Sequence, residues 1–106
     1  MPQVTTVAIV KAQEGKEAAL EAAVEQLVLA THAEEGNLSY AVHRALQEPR
    51  TYVFVERYDS PEAFRAHMGS EHFGAAAAQF GDLLDGAPTI VPAEAWVIGD
   101  PAKGAL

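Results

Sequence analysis

The 106-residue chain contains no cysteine. That excludes disulfides, thiolate nucleophiles and cysteine-based zinc or iron–sulfur sites together. Basic residues are scarce: seven Lys and Arg against fifteen Asp and Glu leave a formal charge of −8. Scattered from Lys11 to Lys103, they form no positive stripe, whereas phosphate backbones and anionic surfaces are bound through clustered Lys and Arg. The expected partners therefore include no nucleic acid and no membrane. No apolar run approaches the ~20 residues that span a bilayer. The opening Met1-Pro2-Gln3-Val4 lacks a basic region followed by an apolar stretch, so no signal peptide is read and the expected location is cytoplasmic. A glycine-rich phosphate loop is missing, since Gly69, Gly74 and Gly81 are too dispersed. Ser39, Ser60 and Ser70 assemble no serine triad, because two of them read as helix caps.

What is present suits one small domain spanning residues 1–106, with a core over about residues 4–98 and a loose tail over 99–106. A hydrophobic share of 49% is enough for one core and excludes a disordered chain. Val4 to Val10 is β-branched and reads as a first strand. From Lys16 to about Glu34, Leu20, Val24, Leu27, Val28 and Thr31 recur at helical spacing, with Glu17, Glu21 and Glu25 on another side. Gly36 and Asn37 suit a helix stop, because both tolerate positive φ. Leu38 to Leu46 alternates, with Leu38, Tyr40 and Val42 on one face. Thr51 to Tyr58 is the next strand, and the short Gln47-Glu48-Pro49-Arg50 link makes the two antiparallel neighbours.

Asp59-Ser60-Pro61-Glu62 is a helix start, with Ser60 as cap and Pro61 at the first helical position. Gly69-Ser70-Glu71 reads as a break and restart, with Ser70 capping a helix that carries Phe73, Ala77, Phe80 and Leu84 on one stripe. Thr89 to Ile98 is the last strand, and Pro92 places it at an edge or makes its start irregular. The order β-α-β-β-α-β, with its second helix split, is an α+β ferredoxin-like domain. Such a sheet carries helices on one face. Its other face is apolar too, and a second copy of the chain is the simplest cover, so a homodimer is expected.

Three stretches carry a family resemblance: Glu35-Gly36-Asn37-Leu38-Ser39-Tyr40, Phe54-Val55-Glu56-Arg57-Tyr58, and His67-Met68-Gly69-Ser70-Glu71-His72-Phe73. Together they resemble the antibiotic biosynthesis monooxygenase family over roughly residues 4–98. The resemblance implies a dimeric α+β barrel with a cleft between sheet and helices in each subunit. It also implies oxygenation of phenols or quinols without metal, flavin or haem. Members with other roles imply two alternatives: a non-catalytic dimeric small-molecule-binding or stress-response protein, and an isomerase of a small phosphorylated metabolite. The family's aromatic residue closing the third strand is usually Trp, and here it is Tyr58. The haem-degrading branch is similar around the helix break, but its ligating His falls where Ala77 stands, and Ala77 cannot hold iron.

Oxygenation without a cofactor needs a substrate that donates electrons once deprotonated, and so needs an apolar pocket, a base and donors for the developing oxyanion. His67, beside the break, is the first candidate for the base, since an imidazole titrates near pH ~6.5. Glu56, in an otherwise apolar strand, needs a partner and is expected to orient His67 or to hold Arg57 or Tyr40. Tyr58 completes the candidate catalytic set. Tyr40, His72, Phe73 and Trp96 are the expected substrate-binding residues. His32 and His43 read as solvated. No metal site is expected, because His67 and His72 lack the i, i+4 spacing of helical ligands; five positions apart on one helix would point ~140° apart. No cofactor is expected either.

Overall fold

The computed structural model describes residues 2–106. Its elements are β1 (Val4–Lys11), α1 (Glu17–His32), β2 (Asn37–Arg44), β3 (Thr51–Tyr58), α2 (Pro61–Met68), α3 (Glu71–Leu83), β4 (Thr89–Glu94) and α4 (Pro101–Gly104). The strands form one antiparallel sheet in the order β2-β3-β1-β4, as the ferredoxin-like reading requires. No described helix is long and apolar enough to cross a membrane.

Strand alternation assigns the two faces. Tyr52, Phe54, Glu56 and Tyr58 of β3 are buried on the helix side, with Thr6, Ala8 and Val10 of β1 beside them. Leu20, Val24 and Leu27 of α1 join Ala8, Val10, Phe54 and Tyr52 in the core. Each fully buried side chain of this size contributes about 1.5–3 kcal/mol. At the sheet edge, Arg44 and Tyr52 both bond the Glu21 carboxylate, at 2.8 and 2.6 Å, and so hold α1 over β2 and β3. On the opposite face Val7, Ile9 and Val91 are exposed in the single chain.

Several sequence expectations change in the structure. Leu38 does not share a face with Tyr40 and Val42. The pairing of β2 with β3 slips between Asn37 and Ser39, and this bulge leaves Leu38 exposed. The last strand stops at Glu94, because its partner Val4 is where β1 begins; residues 95–98 have no strand to pair with. Pro92 does lie in an edge strand, as its missing N–H demands. The tail is not wholly loose: Asp100 caps the short α4 by accepting from the Ala102 N–H at 2.9 Å.

Gly36 has a different purpose from the one expected. Its φ is not in the left-handed region. A Cβ there would sit 2.4 Å from the Ala63 Cβ and 3.2 Å from Asp59 Oδ1. Gly36 therefore lets the turn after α1 lie directly on α2, and the Asp59 N–H closes the contact on the Gly36 carbonyl at 2.9 Å. Gly36→Ala should destabilise the domain by about 1–3 kcal/mol, the usual cost of forcing an extra methyl into a packed contact. Urea unfolding monitored by far-UV circular dichroism measures it, and an unchanged midpoint would show that the turn has room to retreat.

Candidate active site

The helix break builds the site. α2 ends at Met68, and the Gly69 N–H bonds back to the Arg65 carbonyl at 3.0 Å. Ser70 then serves both helices: its hydroxyl donates to the His67 carbonyl at 2.7 Å and accepts from the Phe73 N–H at 3.2 Å. This turn points His67 and His72 toward the same carboxylate. Glu34, in the turn after α1, accepts through Oε2 from His67 Nδ1 at 2.7 Å and from His72 Nε2 at 2.5 Å.

His67 is 1% exposed. Aromatic rings surround it, with Phe73, Tyr58 and Tyr40 at centroid distances of 5.2, 5.3 and 5.5 Å. Burial pushes its pKa below the ordinary imidazole range, and the Glu34 carboxylate pulls the other way without overcoming it. A carboxylate on Nδ1 fixes the ring proton there and leaves the lone pair on Nε2.

His67 forms part of the wall of a cavity of about 510 Å³ between the sheet and α2 and α3. Most of the wall is apolar: Leu27, Phe54, Phe64, Phe73, Phe80, Leu84 and Ile90. The polar groups are Tyr40, Glu56, Thr6 and His67, and no Lys or Arg lines it. Tyr40, Glu56 and Thr6 are register partners across β2, β3 and β1. They form one polar row on the floor of the cavity, where neighbours on a face stand ~4.5–5.5 Å apart. Thr6 Oγ1 is buried without a hydrogen-bond partner.

Glu56 does not orient His67; Glu34 does. Glu56 instead accepts the Tyr58 hydroxyl on Oε1 at 2.7 Å. Burial pushes its carboxyl up to about 7, the Tyr58 bond opposing and the Glu34 charge adding. Tyr58 is fully buried behind Glu56 and stacks edge-on against Phe64 at 5.5 Å, so it supports the carboxyl and does not line the cavity. Burial, followed by the charges of Glu56 and Glu34, pushes the Tyr40 hydroxyl well above the usual phenol range, so it remains a proton donor.

The structure thus brings His67, Glu56, Tyr40 and Phe73 to one cavity. His72 stands on the outer side of Glu34. Trp96 is the clear departure: it lies beyond the end of β4, outside the cavity, and is 82% exposed. The expectation that it lines the pocket assumed a strand running to Ile98. His32 is not simply solvated either, since its Nε2 bonds the Tyr40 carbonyl at 3.0 Å. Glu34 escaped the sequence reading. One signal was available: Glu34 and Glu35 sit at a helix C-terminus, where the dipole disfavours anions, so an acid there calls for a partner elsewhere.

An α+β ferredoxin-like domain with an apolar, histidine-walled cavity between sheet and helices is the class that fold and site define. The family model described as antibiotic biosynthesis monooxygenase matches residues 3–79, and the chain belongs to that family. A Caulobacter crescentus structure bearing the same family name is 32% identical, with a TM-score of 0.84 over 90% of this chain and 91% of that one. Structures from Shewanella oneidensis and Mycobacterium tuberculosis are each 28% identical. Their TM-scores are 0.82 and 0.81, covering 88% and 86% of this chain and 90% and 92% of theirs. No curated protein matches.

The raised Glu56 carboxyl has a consequence for stability. Its folded pKa of about 7 lies above the ordinary 4.5, so its contribution is fully present below pH ~4.5 and is lost as pH rises through ~7. Glu56→Gln keeps an acceptor for Tyr58 and removes the charge. The stability of Glu56→Gln relative to the parent should therefore increase between pH 5 and pH 8 in paired denaturant titrations. A pH-independent difference would return Glu56 to an ordinary carboxyl.

Proposed function

We propose that the protein is a cofactor-independent monooxygenase of a small aromatic, phenolic or quinol-type compound. The observation that carries this reading is the apolar cavity of about 510 Å³ with His67 in its wall and no cation in its lining. Family membership supports it. A substrate phenol would give its proton to His67 Nε2, and the Tyr40 hydroxyl would donate to the oxyanion formed. The anion reduces dioxygen directly and the resulting radical pair joins in a carbon–oxygen bond. Cleavage of the O–O bond leaves one oxygen on the ring as a carbonyl and releases the other as water. Oxidation of a phenol to a quinone supplies all four electrons, so no external reductant enters the balance. His67 passes its proton to the peroxide, and Glu56, its carboxyl raised by burial to about 7, can protonate the departing oxygen and take up the proton lost from the ring carbon that becomes the carbonyl.

A phosphorylated substrate fits less well. Arg44 is engaged with Glu21, Arg65 with Glu62 and Arg57 with Gln3, all away from the cavity.

His67→Ala should lower turnover of a phenolic substrate by ~10²–10⁴, the usual worth of a general base. Turnover should recover in part at a pH where the phenol ionises unaided. Oxygen-electrode rates with a chelator present, alongside melting curves, make the measurement. A variant that melts lower yet keeps its rate per folded molecule would make His67 a structural pin.

The exposed Val7, Ile9 and Val91 share the open sheet face with their register partners Val53 and Val55. We assign this face to a second copy of the chain, the working unit being a homodimer. Sedimentation equilibrium at micromolar concentration should return about twice 11.3 kDa; a monomer would overturn that assembly.

A further inference from the structure

The outer wall of the cavity holds a cluster that base catalysis uses only in part. Glu34, His67 and His72 come from three segments: the turn after α1, the last turn of α2 and the first turn of α3. One carboxylate oxygen and two ring nitrogens from these residues all lie within 4.8 Å of one another. Spacing along the chain argued against such a group, because residues five apart on a continuous helix diverge. The Ser70 turn removes the premise. The two residues lie on different helices, and the change of direction between those helices makes the rings converge.

Two imidazole nitrogens and one carboxylate oxygen are the donor set of zinc-class ions; magnesium and calcium favour oxygen throughout. Both rings already address the same Glu34 oxygen. A cation there would occupy the space in which two N–H protons now lie. His67 is buried, whereas the side chains of His72 and Glu34 are 27% and 16% exposed. Solvent therefore reaches one side of the cluster, which gives an ion its entry and leaves a coordination position for water. His67 keeps its backbone tied to Ser70, so two ligands are carried on rigid helix ends.

We propose that Glu34, His67 and His72 form a binding site for one divalent transition-metal ion of the zinc class. An ion on His67 Nδ1 displaces the proton held there, and the neutral ring must then carry its proton on Nε2, on the cavity side. The base becomes a donor. Metal binding is thus an off-switch for proton abstraction. That consequence rests on the function proposed above, whereas metal binding itself does not.

Titrating the metal-free full chain with Co²⁺, followed by visible absorption and then displaced by Zn²⁺, tests the site without any substrate. The expected result is one ion per chain with the intense bands of a low-coordinate centre, bleached by zinc. Zinc should also raise the melting temperature by mass action. His72→Gln retains an N–H donor for Glu34 and offers no imidazole. It should weaken binding by more than the roughly 10–100-fold that loss of an outer-shell partner costs. If that variant melts well below the parent, Glu34→Gln is the second probe, with the same expected loss. A spectrum like that of the hydrated ion, or equal affinity in both variants and the parent, would overturn the site. With a turned-over phenol in hand, one equivalent of zinc should inhibit the parent and chelator should restore it. Absence of turnover with every phenol would count against the oxygenase reading alone, since the cobalt titration is read on substrate-free protein.

Discussion

The Glu34 carboxylate is shared by two imidazoles, and through that sharing the three segments around the cavity are tied to one another. A half-buried carboxylate is costly to desolvate and needs donors. Here both donors lie on the far side of the fold in sequence, 33 and 38 residues away. The turn after α1 can approach them only because Gly36 brings no Cβ against Ala63. A missing methyl group in one loop thereby sets the orientation of a ring in another, and with it which nitrogen of His67 faces the cavity.

The second constraint is the interruption between α2 and α3. A continuous helix would satisfy its own backbone groups and send His67 and His72 in different directions. Ser70 makes the interruption stable by bonding the carbonyl of His67 and the N–H of Phe73 with one hydroxyl. The same residue thus ends one helix, begins the next and sets the directions in which His67 and His72 leave them. A helix cap of this sort contributes about 0.5–2 kcal/mol of stability, which offsets part of the backbone hydrogen bonding given up at the break.

Polarity inside the cavity is graded by the sheet register. Tyr40, Glu56 and Thr6 form one cross-strand row, and the next row, Val42, Phe54, Ala8 and Ile90, is apolar. A ligand held there meets titratable groups at one end and hydrocarbon along the rest. The environments of those groups diverge: burial lowers the pKa of His67 and raises that of Glu56. Paired shifts of opposite sign are how one site keeps a free base and a protonated acid at the same pH. The same geometry offers a metal ion the outer face of His67 and a substrate the inner one, and a single ring cannot serve both in the same tautomer.

Much of the fold was legible in the chain. Apolar residues of period two and period 3.6, Ser60 and Pro61 at one helix start, and Ser70 at another are local signals, and local sterics and hydrogen bonding decide what they form. His67 and Glu56 were legible as well, because a titratable residue in an apolar setting stands out without any coordinates. What each one bonds was not. Glu56 is expected to orient His67 or to hold Arg57 or Tyr40, and it accepts from Tyr58 instead, while His67 is held by Glu34, a residue that looks like one more surface acid. The expectation that Trp96 lines the pocket rests on a strand length that the start of β1 cuts short. Spacing between histidines spoke against convergence until the break turned one helix against the other. The sequence by itself determined which segments would be helix or strand and which groups could titrate, since those properties depend on neighbours along the chain. Only the tertiary structure decided which of those groups meet, because a hydrogen bond reaches about 3 Å and depends on which distant segments the packing brings together.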